Sequence, residues 1–169
     1  RDLYIKGAGA PAFFDIISDK SGSCLNKVLR IAGGLGFDKG GLYKIDFAQE
    51  TEIDLFVEQY FLPKIFGLIE TSFQFLVDQD FDRRVAVLEL LASGELGDLL
   101  TAAAKKGLYK TWLDHASPTC RFGIVDNLDR VLDSEREREL MVETLNRIRS
   151  KVFESRLIEE ADRDFSGVR

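Results

Sequence analysis

Histidine occurs once in this chain, as His115, and cysteine only twice, as Cys24 and Cys120. A zinc site of the usual kind takes about four Cys or His ligands, so the chain cannot build one from these alone. Neither cysteine sits in a CxxC, which excludes a disulfide framework and reads as two idle thiols in a reducing compartment. A Cys–His pair with His115 is formally open, but no spacing supports it. Proline is scarce, three in 169 residues, and no low-complexity tract is present, which excludes long disorder. Long apolar runs are missing too: residues 65–69 and 73–77 are separated by Glu70, and a membrane span needs about 20 apolar residues. Basic charge is also short, 23 residues against 29 acidic for a net charge of −6. Phosphate affinity comes largely from Lys and Arg, so nucleic acid is not an expected partner. A cytoplasmic protein with no membrane span fits these absences. The chain begins with Arg1 rather than Met, as a fragment or a processed product would.

Hydrophobic residues are plentiful, 45% with thirteen Phe, enough for one core without disulfides or a structural metal. Residues 3–6, 12–18 (AFFDIIS) and 42–47 (LYKIDF) are short, apolar and partly alternating, and predict three strands. Between them Ser21 or Ser23 opens a helix that Gly33 and Gly34 should stop. From Thr51, which reads as a helix cap with Asp54 in the first turn, the pattern is helical. Pro63 should interrupt it, and breaks follow at residues 78–82, 93–94, 107 and 117–118. Residues 120–125 fit a strand or a helix equally. Ser134 and Glu137 form a capping box for a long C-terminal helix with Met141, Leu145, Ile148 and Val152 along one narrow seam. The expected fold is α+β and helix-dominated, with a small three-stranded N-terminal β part packed against a helical bundle. It forms a single domain over 1–169: a mixed portion at 1–50, a helical portion at 51–163 and a frayed tail at 164–169.

Two acidic constellations could carry chemistry. Asp78, Asp80, Asp82 and Glu89 fall at positions one, three, five and twelve of a possible calcium loop, the order in which a hard cation takes carboxylates and a closing Glu. Arg83 stands at position six, where the sharp turn wants Gly, and Arg84 follows. The plainer reading is an acidic helix–helix loop with Asp82 as a cap. Asp19, Ser21 and Ser23 follow a strand and precede a helix. This Asp-x-Ser-x-Ser run is similar to that of von Willebrand factor A-type domains, and the resemblance, over about thirty residues, implies Mg²⁺ held by Asp19 and the two hydroxyls; a metal-dependent enzyme could add Asp15 to this set. The alternative is a strand-to-helix turn whose side chains satisfy backbone donors. The same turn could cradle a phosphate. Gly7, Gly9 and the following residues lack the third Gly of a dinucleotide fingerprint. Asp114 beside His115 could orient a general base, but adjacent helical residues do not face each other.

With no complete catalytic set, the composition points to a helical protein-interaction or regulatory module without catalysis of its own. Its partner, another protein or a second copy, would meet the Met141, Leu145, Ile148 and Val152 face. The alternative is a divalent-metal-dependent enzyme or switch acting on a phosphorylated ligand, with Mg or Ca on the acidic residues above; no other cofactor is expected.

Overall fold

The computed structural model describes residues 5–168. The chain divides into two compact units, Arg1–Leu55 and Phe56–Arg169. The molecule is helix-dominated and carries one small parallel sheet of two strands.

In the first unit, β1 (Ala12–Phe14) runs parallel to β2 (Leu42–Lys44), with Phe13 opposite Tyr43. A parallel pair needs a crossover, and α1 (Cys24–Leu35) supplies it. The third expected strand, residues 3–6, falls mostly outside the described residues, and Lys6 and Gly7 form a turn. The other two are shorter than their apolar runs because aspartates divert the backbone. Asp15 accepts the Ile16 N–H at 2.7 Å. Asp46 caps α2 (Phe47–Phe56), accepting from Ala48 N at 2.7 Å and Gln49 N at 3.3 Å. The cap is therefore Asp46 and not Thr51, which lies inside the helix. Helix α1 runs through Gly33 and Gly34 and ends at Gly36, whose φ of 78° is the left-handed conformation that glycine adopts freely.

The glycines around this crossover have a packing role. A Cβ on Gly9 would run into the carbonyl oxygen of Gly36 and the backbone nitrogen of Gly40, and one on Gly40 into the backbone of Ala10. Two backbone segments touch there, leading into β1 and β2.

In the second unit the chain opens with a wide turn, Val57–Phe61, in which the helical bonds run i→i+5. Then come α3 (Leu62–Asp78), α4 (Arg83–Val87), a second wide turn at Leu88–Ala92, α5 (Glu95–Lys106), α6 (Leu108–His115), α7 (Pro118–Val131), α8 (Ser134–Arg149) and α9 (Val152–Asp162). Pro63 does not interrupt the helix as expected. It sits in the first turn of α3, directly after the wide turn, where the chain carries on helically without the ordinary bond that proline cannot donate. Ser117 caps α7, accepting from Cys120 N at 3.2 Å, so residues 120–125 are helix. The long C-terminal helix is two helices, because Lys151 takes a left-handed φ of 60° between α8 and α9.

The capping box is also replaced. Asp133 caps α8 through Arg136 N at 3.0 Å, Ser134 is already helical, and Glu137 turns its carboxylate elsewhere. Neighbouring helices pack in pairs, α3 on α4, α5 on α6 and α8 on α9. Little of the unit lies fully inside: Tyr60, Ala86, Thr111 and Ile148 are the buried residues among those described.

Replacing Gly9 by Ala should destabilise the first unit by about 1–3 kcal/mol, because the obstacle is backbone and cannot swing away. Gly34→Ala, in an open helical position, should instead stabilise by about 0.5–1 kcal/mol. Denaturant titration of the two variants should show midpoints moving in opposite directions.

Candidate functional site

The described residues divide their acidic side chains into two groups, those whose oxygens are already held by the protein and those left free. Asp19 belongs to the first. Its carboxylate accepts from Ser21 N at 3.1 Å, Ser23 N at 3.2 Å, Cys24 N at 3.0 Å and the Ser21 hydroxyl at 3.1 Å. The Ser21 and Ser23 hydroxyls bond each other at 2.7 Å. Hydrogen bonds from Cys24, then from Ser21, lower the Asp19 carboxyl to about 2. The N–H groups that open α1 thus point at this chain's own anion, which answers the same electrostatic demand that a bound phosphate would. The neighbouring Cys24 thiol is pushed up by its hydrogen bond with the Asp19 carboxylate, which disfavours the nucleophilic thiolate. Asp15 is held by Ile16 N and by Phe47 N at 3.4 Å.

In the second unit, Asp82 caps α4. It accepts from Arg84 N at 2.8 Å and pairs with the Arg84 guanidinium at 2.9 Å, and Arg84 holds its carboxyl below the usual range. Asp78 accepts from Gln74 at 2.7 Å. Asp80 stands in the turn between with a left-handed φ of 63°, while Arg83 lies over the Phe73 ring, 5.2 Å from its centre. Glu89 is apart from these three, in the second wide turn. Among the described residues no group of three or more His, Cys, Asp or Glu is placed to hold a metal ion. Lys106 reaches both Asp114 at 3.3 Å and His115 at 3.2 Å, so the lone histidine faces a lysine.

The free carboxylates of interest are Glu58 and Glu89. Each is exposed, makes no hydrogen bond or ion pair among the described residues, and sits in one of the two wide turns. Such turns are rare and occur often at functional sites. The first leads directly into α3 and the second packs against α3. Sequence reasoning singled out Glu89 and missed Glu58, which looks like any polar residue on an amphipathic run; the only hint is the proline five residues later.

The first turn is also anchored to a distant helix of the unit. Tyr60 donates its hydroxyl to Glu137, and Lys64 donates to the other oxygen of the same carboxylate at 2.6 Å. Burial, then Glu137, raises the Tyr60 hydroxyl to about 12, and Lys64 with Tyr60 holds the Glu137 carboxyl low. An open groove of about 870 Å³ runs beside this cluster, lined by Phe61, Ile65, Leu68, Leu132, Arg138 and Met141 among others.

A two-stranded parallel βαβ unit and a separate set of short helices with two wide turns define the class. Residues 47–168 match the family model of the ketol-acid reductoisomerase C-terminal domain. The chain is 33% identical over 164 residues to the ketol-acid reductoisomerase (NADP(+)) of Pyrobaculum aerophilum, covering 96% of this chain and 49% of that protein. It is 35% identical over 164 residues to the enzyme of the same name from Saccharolobus solfataricus, covering 96% and 48%. In three dimensions it resembles the NADH-preferring ketol-acid reductoisomerase from an uncultured archean, with a TM-score of 0.85 at 24% identity over 99% of this chain and 50% of that one. The chain belongs to the ketol-acid reductoisomerase C-terminal-domain family. It spans about half the length of the curated relatives it matches.

This membership overturns the expectation of a protein-interaction or regulatory module without catalysis, since the family is one of enzymes. At the helix terminus expected to cradle a phosphate, the backbone N–H groups of Ser23 and Cys24 are taken by Asp19.

Lowering of the Asp19 carboxyl from its ordinary 3.8 to about 2 means that its hydrogen bonds stabilise the folded state above pH 3.8. That stabilisation is lost as pH falls toward 2. Asp19→Asn should flatten the pH dependence of melting between pH 4 and 2, measured by circular dichroism, and leave the slope above pH 5 unchanged.

Proposed function

We propose that this chain serves as the C-terminal part of a ketol-acid reductoisomerase, working in the cytosol in branched-chain amino acid biosynthesis. The match of residues 47–168 to that family carries the reading. Its relatives are named for NADP(+) and for a ketol acid. The nicotinamide cofactor does not fit the described residues. Gly9 and Gly40 are filled by backbone contact rather than open to a pyrophosphate, and the third glycine of the fingerprint is missing. Cofactor binding accordingly falls outside these residues.

A ketol acid presents neighbouring oxygens to a hard cation, and the family is Mg-dependent. The described residues do not form a cation cage by themselves. What this chain contributes is Glu58 and Glu89, two exposed carboxylates on wide turns beside one helix, without a hydrogen bond or ion pair among the described residues. Of the earlier candidates Glu89 keeps this role, whereas Asp78 and Asp82 are engaged in holding α3 and α4.

A second copy of the chain is the partner that the apolar surface suits. Two separate globular bodies with the sizes of these units would expose about 10,000 Å² between them, whereas the chain exposes 13647 Å². Obligate interfaces bury roughly 2,000–5,000 Å² or more in total, half on each partner, so one chain's excess is of the size of its share in a large interface. On α8 and α9, Ile148 is inside and Leu145 half-buried, while Met141 and Val152 remain open to a partner.

The test is domain replacement. This chain should take the place of the matching half of the Pyrobaculum aerophilum enzyme and restore oxidation of NADPH that depends on a ketol acid. Glu58→Gln and Glu89→Gln should each reduce that turnover at least a hundredfold without shifting the melting midpoint. A folded chimera with no ketol-acid-dependent turnover would refute the reading. Sedimentation of the chain alone should give a dimer.

A further inference from the structure

An i→i+5 turn is a rare departure from the ordinary helix, so what holds one in place can be sought in its neighbours. Three features show what holds Val57–Phe61. Pro63 cannot donate back to the carbonyl four residues earlier, which removes one ordinary helical bond across the turn. Phe56, Tyr60 and Lys64 follow at intervals of four and share a face. Phe56 stacks on Tyr60 with centres 5.3 Å apart, and Tyr60 and Lys64 both reach Glu137 of α8. The grip is strong by type. It joins a carboxylate that is 19% exposed, an ammonium and a buried phenol through charge-assisted hydrogen bonds. Meanwhile Gln59, inside the turn, buries its amide nitrogen without a hydrogen-bond partner. A turn that formed to suit its own side chains would not leave that donor orphaned; its geometry is imposed from α8.

We propose that Glu137 is a positioning residue: by bridging Tyr60 and Lys64 it locks the wide turn and fixes the direction in which Glu58 is presented. The functional half of this rests on the reductoisomerase reading; the mechanical half stands without it. The second wide turn has no such clamp among the described residues and is held by packing on α3, α4 and α5. Glu58 is therefore the more rigidly aimed of the two free carboxylates.

The experiment has two arms. In the first, amide hydrogen exchange is followed in the chain itself for wild type, Glu137→Gln and Tyr60→Phe; the second variant keeps the ring and its stacking. Exchange at residues 58–62 should quicken at least tenfold in both variants, while amides of α5 and α6 keep their rates. Unchanged exchange at 58–62, or equal acceleration throughout the unit, would overturn the clamp. In the second arm, the same substitutions in the chimera should lower kcat about tenfold and leave KM for the ketol acid within twofold. Local acceleration with kcat intact would overturn the positioning role. An inactive wild-type chimera would instead count against the reductoisomerase reading, and the exchange arm would still decide the clamp.

Discussion

Removing apolar surface from water is the main favourable term in folding, and the helical unit of this chain does little of it alone. Its helices are short, they touch in neighbouring pairs, and side chains as large as Phe66, Tyr109 and Phe122 stay more than 60% exposed. Much of the local order therefore falls to hydrogen bonds and caps: Asp82 on α4, Ser117 on α7, Asp133 on α8, and Glu137 across to Tyr60 and Lys64. Such contacts are each worth about 1 kcal/mol, enough to set helix directions but not to replace a core. A partner surface would complete what the chain leaves open.

Helix content was legible in the sequence, because amphipathic runs, glycines and prolines report local backbone preference directly. Helices α5 and α6 begin and end where Gly94, Gly107 and Ser117 punctuate the chain. Strand length was not legible. The run at 42–47 alternates like a strand, but alternation cannot foresee that Asp46 will cap a helix two residues on. The single long C-terminal helix failed for a similar reason. Lys151 carries no turn signature, yet it takes a left-handed conformation between α8 and α9.

The candidate site was read through residue types that do two jobs. Asp and Ser before a helix are what a cap requires and also what a hard cation requires. Asp19 and Asp82 proved to be capping, a distinction that lies in where backbone N–H groups point rather than in spacing. Glu58 stood out in no pattern because periodicity assumes a uniform 3.6 residues per turn, and the wide turn at Val57–Phe61 breaks that assumption. Family membership was not read from any short motif; the match extends over residues 47–168.

The contact between the backbones at Gly9 and Gly40 has an evolutionary consequence. When a side chain blocks a new side chain, a second mutation can shrink the obstacle and restore the fit. Here the obstacle is main chain, which no codon change can trim, and glycine has no smaller substitute. The two positions are locked for as long as the crossover stays closed. Related chains that share this βαβ unit should carry glycine at both, even where the helices around them have diverged beyond recognition.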